Sequence, residues 1–125
     1  MRFNPSKIAT SDFAGIRMTD LNEIIYCKAE GNYTRIYTKN NNFVVTKVLK
    51  FVEIILPKNI FLRIHKSYLI NVNYVIGFKY KNTIILEPNI ELPIARRRKA
   101  KILKNIKLPF DYLTFVSRST VYYKN

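Results

Sequence analysis

Three short polar stretches carry the residue types that could do chemistry: Asn32–Tyr33, His65–Lys66–Ser67 and Arg96–Arg97–Arg98. An arginine fork matches guanine O6 and N7, or two phosphate oxygens, whereas lysine acts as a point charge. An asparagine amide can match an adenine edge, and a phenol can donate to phosphate. Together these side chains suit recognition of a nucleic acid. Each stretch also has a plainer reading. An arginine run can be a solvated face, Gly31-Asn32 can be turn chemistry alone, and His65 can be a structural group hydrogen-bonded beneath its loop.

Catalysis has little to work with. The chain has one histidine and one cysteine, and no carboxylate pair at helical spacing. No His, Cys or acidic cluster has metal-ligand spacing. The three glycines, Gly15, Gly31 and Gly77, form no phosphate-cradling loop. A Cys27–His65 nucleophile pair would need the two to meet, and Cys27 lies in an apolar strand. The sequence is therefore read as a non-enzyme without a cofactor.

Charge points the same way. In 125 residues, 22 Lys and Arg face 8 Asp and Glu, for a net charge of +14. Such an imbalance calls for a polyanionic partner, nucleic acid first and an anionic membrane surface second. Hydrophobic residues make up 48% of the chain, as expected for one globular domain spanning 1–125. No run approaches the roughly 20 apolar residues of a spanning helix, and the N-terminus lacks a signal-peptide core, so no membrane insertion is expected. The lone cysteine excludes an internal disulfide, and the chain reads as cytoplasmic.

The positioning elements read mainly as β-structure. Residues 7–18 suggest two short strands, with a turn or single helical turn at Thr19–Asn22 capped by Thr19 or Asp20. Strands follow at 23–30, 33–39 and 43–46, with turns at Gly31-Asn32 and Asn40–Asn42. Apolar residues at Val48, Leu49, Phe51, Val52, Ile55 and Leu56 predict an amphipathic helix over 47–56, capped by Thr46 and ended by Pro57. Phe61–Asn73 has an apolar lead-in, a cationic knuckle (Arg63, His65, Lys66, Ser67) and an apolar exit, which places a polar loop between two anchors. Further strands are expected at 74–80, 83–87 and 90–94, then a second helix over 95–108. Seven cations, Arg96 to Arg98, Lys99, Lys101, Lys104 and Lys107, sit on or before that helix. The aromatic-rich tail 110–125 is left with three roles: an added strand, a cover for a sheet edge, or an interface.

The segment Phe61-x-Arg63-Ile64-His65-x-Ser67-Tyr68-x-x-Asn71 resembles the central signature of the LytTR DNA-binding domain of bacterial response regulators. Ile24–Tyr33 resembles that family's strand ending in a Gly-Asn-Tyr loop. Leu92–Arg98 resembles its Leu-Pro-Val-Ser-Arg-Arg segment, with Ala95 where the family usually has serine. The resemblance covers about 7–107 and leaves 108–125 as an extension of unknown role. It implies a mainly β fold with two short helices and about ten short strands in small antiparallel sheets. It also implies that loops reach successive major grooves, with contacts from Asn32 or Tyr33, from Lys66 beside His65 and Ser67, and from Arg97 flanked by Arg96 and Arg98. Two protomers on paired half-sites, bending the DNA, would be the usual assembly. No receiver domain precedes the module, so the expectation is either a fragment or a stand-alone regulator controlled by a separate sensory protein.

The resulting expectation is sequence-specific double-stranded DNA binding in bacterial transcription regulation. Two other classes stay open on the residues alone. One is an RNA- or single-strand-binding β-domain stacking bases on Tyr33, Tyr37 and Tyr80. The other is a cationic module that docks on acidic surfaces.

Overall fold

The computed structural model describes residues 6–79, 82–106 and 121–123. Expectations that fall on Tyr80, Lys81, 107–120 and the two termini lie outside the described residues. A hairpin of β1 (Lys7–Asp12) and β2 (Gly15–Asp20) comes first, then one 3-10 turn at Leu21–Glu23. Strands β3 (Ile24–Glu30), β4 (Tyr33–Thr38) and β5 (Asn42–Val45) form a meander that leads into helix α1 (Leu49–Ile55). Then come β6 (Phe61–His65), β7 (Tyr68–Asn71), a 3-10 turn at Val72–Tyr74, β8 (Val75–Lys79), β9 (Thr83–Leu86) and β10 (Ile90–Pro93). A 3-10 turn at Arg96–Arg98 runs into helix α2 (Lys99–Asn105), and β11 spans Val121–Tyr123. The sheets have two, five and four strands: β1-β2, β5-β4-β3-β7-β6 and β10-β9-β8-β11. Every described pairing is antiparallel. The mainly β expectation holds, and β11 adds a strand on the edge of β8.

The five-stranded sheet is the middle layer, with a core on each face. Strand alternation sends Ile24, Cys27, Ile36, Val45, Phe61 and Leu69 toward α1 and the β1-β2 hairpin. On the other face, Ile25, Ile64 and Ile70 meet Phe78, Ile84 and Leu92 of the four-stranded sheet and Ile102 of α2. The β3–β4 register shifts between Ile24 and Tyr26. That shift lets consecutive Ile25 and Tyr26 both face the second core.

Three local expectations need correction. Thr46 does not cap α1: Val48 holds the N-cap position without a side-chain bond, and the Thr46 hydroxyl sits 3.3 Å from that of Ser11. Asp20 does precede the Leu21–Glu23 turn, but its carboxylate pairs with Lys7 at 3.2 Å rather than capping it. The second helix is shorter than expected, because Ala95 is extended and Arg96–Arg98 form a 3-10 turn before α2. The apolar stripe of α1 is also only partly used. Leu49, Val52 and Leu56 are buried, while Val48, Phe51 and Ile55 are each more than 40% exposed.

Candidate nucleic-acid interface

Topology gathers the three polar stretches at one end of the five-stranded sheet. Gly31-Asn32 joins β3 to β4, and Lys66-Ser67 joins β6 to β7. Because β7 runs antiparallel to β3 as its neighbour, the two turns share an end. The Ala29 N–H donates to the Ser67 carbonyl at 2.9 Å, which fixes the second turn beside the last residues of β3. On the far side, the Ala95 N–H donates to the Ile64 carbonyl at 2.9 Å. The arginine run therefore starts next to His65.

At the first turn, Gly31 takes a φ of +59°, a conformation that glycine adopts without the strain of a side chain. Asn32 and Tyr33 are then exposed. The Tyr33 ring meets Phe13 edge-on, 5.7 Å between centroids. Glu30, an acid close to this end, is matched by Arg35 at 2.8 Å, and the same guanidinium donates to Asn42 at 2.7 Å. The Arg35 hydrogen bond holds the Glu30 carboxyl below its usual range.

The knuckle divides into support and display. Arg63, expected as part of the cationic loop, turns inward. Its Nη1 meets Glu53 Oε1 at 2.7 Å, its Nε donates to the His65 carbonyl at 2.7 Å, and its Nη2 donates to the Lys66 carbonyl. His65 accepts the Ser67 N–H at Nδ1, 3.1 Å away, so that nitrogen carries no proton. Burial, followed by the charges of Lys66, Arg63 and Arg98, holds the His65 pKa below its ordinary value. Ser67 is half-buried, and its backbone carries both of these turn contacts. Lys66 alone of the three is exposed. Asn71, the last residue of the signature, is also a support: its buried amide donates to the Ile24 carbonyl and accepts from the Asn73 N–H, both at 2.9 Å.

The arginine run divides in the same way. Arg96 and Arg97 are exposed, whereas Arg98 is half-buried and lines a polar cavity between α1, β6 and α2. The sequence does not point to Phe13, and it shows the charge of Arg63 but not its bracing role. Phe13 is 77% exposed at the tip of the β1-β2 hairpin beside Tyr33; a phenylalanine in a turn before Gly15 was the available signal. Arg63 was noticed for its charge, but no local spacing links it to Glu53.

Among the described residues no group of three His, Cys, Asp or Glu side chains could hold a metal ion. Cys27 is buried against the α1-side core, and burial pushes its thiol up to about 12. Tyr37, one of the rings considered for base stacking, is already stacked on Tyr26 with centroids 4.3 Å apart. No helix among the described residues is long and apolar enough to cross a membrane.

Comparison with known proteins agrees with the fold. A family model described as the LytTr DNA-binding domain matches residues 14–107. The "Sensory transduction protein LytT" of Bacillus subtilis is 28% identical over 104 residues, covering 80% of this chain and 43% of LytT. The "Transcriptional regulatory protein YpdB" of Escherichia coli K12 is 28% identical over 88 residues, covering 66% of this chain and 36% of YpdB. The chain thus spans less than half the length of these relatives. A solved LytTr DNA-binding domain from Bacillus cereus superposes with a TM-score of 0.70 at 18% identity, covering 82% of this chain and 98% of that one.

Proposed function

The chain belongs to the LytTR family of DNA-binding domains, and from that premise we propose that it reads duplex DNA sequence-specifically through the loop end of its five-stranded sheet. One observation carries the reading: exposed Asn32, Tyr33, Lys66, Arg96 and Arg97 are gathered at that end by the Ala29–Ser67 and Ala95–Ile64 backbone bonds. Arg97 and Lys66 are assigned to base edges, Asn32 to an adenine edge, and Tyr33 and Arg96 to the sugar-phosphate backbone. His65 and Ser67 shape the loop that offers Lys66. In this reading the loops along the sheet end enter successive major grooves on one side of a duplex. Bending the DNA to reach both costs on the order of 1–6 kcal/mol, which phosphate contacts by a +14 domain offset. The functional context is transcription regulation, with two protomers on paired half-sites.

Selection of duplex DNA from a random pool is the direct test, and enrichment of a motif repeated about one helical turn apart (roughly 10 bp) is expected. On the selected site, Arg97→Ala and Lys66→Ala should each cost about 1–3 kcal/mol and relax preference at one position. Equal losses on selected and random duplexes would remove both residues from base reading.

A further inference from the structure

The cavity lined by Arg98 is not needed for base reading, and it has the composition of an anion site. It encloses about 470 Å³, within the range of small-ligand pockets. Lys58, Arg98 and Lys101 bring three positive charges to its wall. Among the described residues none of these three side chains has a hydrogen-bond or ion-pair partner. The cavity also contains Glu53, but Arg63 already neutralises it at 2.7 Å. Residues 98 and 101 lie three apart along the 3-10 turn and α2, so both reach the same side. The Asn59 amide adds a neutral polar group, and Phe61, Leu62 and Val72 supply an apolar floor.

We propose that this cavity binds a phosphate group, held by the Arg98 fork and by the Lys58 and Lys101 ammonium groups. Three unpartnered cations around one concavity repel one another, and a dianion relieves all three at once. The guanidinium offers paired donors to two phosphate oxygens, and the lysines meet the remaining charge. The apolar floor gives room for the carbon body of a small phosphate monoester. The same chemistry could be supplied by a backbone phosphate of DNA that lies against the neighbouring loop end. The small-ligand arm of the test stands whether or not the chain reads DNA.

His65 supplies the reporter. It is the chain's one histidine, so its imidazole proton resonances are unambiguous, and the Arg98 charge contributes to its lowered pKa. An anion seated on Arg98 should therefore raise the His65 titration midpoint. The wild-type chain would be titrated by NMR with inorganic phosphate and with phenyl phosphate, against chloride at equal ionic strength. Saturable shifts in amides of 58–63 and 98–105, with a raised His65 midpoint, are expected. They should persist in Arg97→Ala and vanish in a Lys58→Gln/Lys101→Gln double variant, which alters exposed side chains only. In parallel, the salt dependence of DNA binding would be compared between wild type and the double variant. Saturation by the small phosphates assigns the site to a free ligand. Absence of saturation, together with a log-log salt slope smaller by about two in the double variant, assigns it to DNA backbone. Shifts that are linear, match chloride or survive in the double variant, with an unchanged salt slope, would overturn the proposal.

Discussion

Arg63 is a cation whose work is structural. Its guanidinium joins Glu53 on α1 to two carbonyls of the loop that presents Lys66, and only 13% of its side chain is exposed. Arg63→Ala would leave Glu53 and two carbonyls short of a partner, a loss of about 1–3 kcal/mol by urea denaturation. Arg63→Lys should recover only part, since an ammonium cannot span the carboxylate and both carbonyls in one plane. Full stability in Arg63→Ala would show that the brace contributes nothing. At this scale the sequence was least informative. Phe61–Asn71 supplies Arg63, His65, Ser67 and Asn71 to internal hydrogen bonds and Lys66 to solvent. Residue type does not say whether a polar side chain points in or out. That depends on partners such as Glu53 and Ile24, ten or more positions away.

The elements were more legible, because their signals are local. Gly31 adopts a φ of +59° at the turn marked by its Gly-Asn pair, and β-branched and aromatic runs mark the strands on either side. Thr46 misled because its neighbour in space, Ser11, lies 35 positions away. The turn at Gly31 gives a direct check on backbone strain. A Cβ there meets nothing within 4 Å, so Gly31→Ala should cost only the left-handed penalty of about 1–2 kcal/mol in urea midpoint experiments. Gly31→Asn should cost less, since asparagine tolerates that conformation. A larger loss for asparagine than for alanine would contradict this account. The 65–67 turn gives a second check. His65 titrates near 6.5 when unfolded and lower in the fold. As pH falls, the unfolded chain binds the proton first, so stability drops from about 6.5 down through the folded value. Protonation also removes the Nδ1 acceptor used by the Ser67 N–H. His65→Gln should flatten the stability profile between pH 7 and 5, and an unchanged profile would mean that other groups cause the slope.

Across the whole molecule, the described ion pairs leave the exposed cations of the loop end unmatched. Among the described ion pairs, Glu30 and Glu53 near that end are each matched by an arginine, while Asp20 and Glu91 pair with lysines elsewhere. Among the described residues no acid pairs with the exposed Lys66, Arg96 or Arg97, so that end keeps these charges out of the net +14. Composition gave the total charge, and only the three-dimensional pairing identifies the face that keeps it. The salt dependence of DNA binding tests this face as a unit. Each phosphate neutralised contributes about 0.9 to the slope of log affinity against log salt. Removing an exposed charge on the proposed docking face should lower that slope by roughly one, whereas Lys7→Gln or Lys79→Gln, which break ion pairs on the two outer sheets, should leave it unchanged. Arg96→Gln is expected to lower the slope equally on selected and random duplexes, because backbone contact carries no sequence information. A slope that fell as much for Lys79→Gln as for Arg96→Gln would mean that DNA senses only total charge, and the loop end would lose its claim to be the docking face.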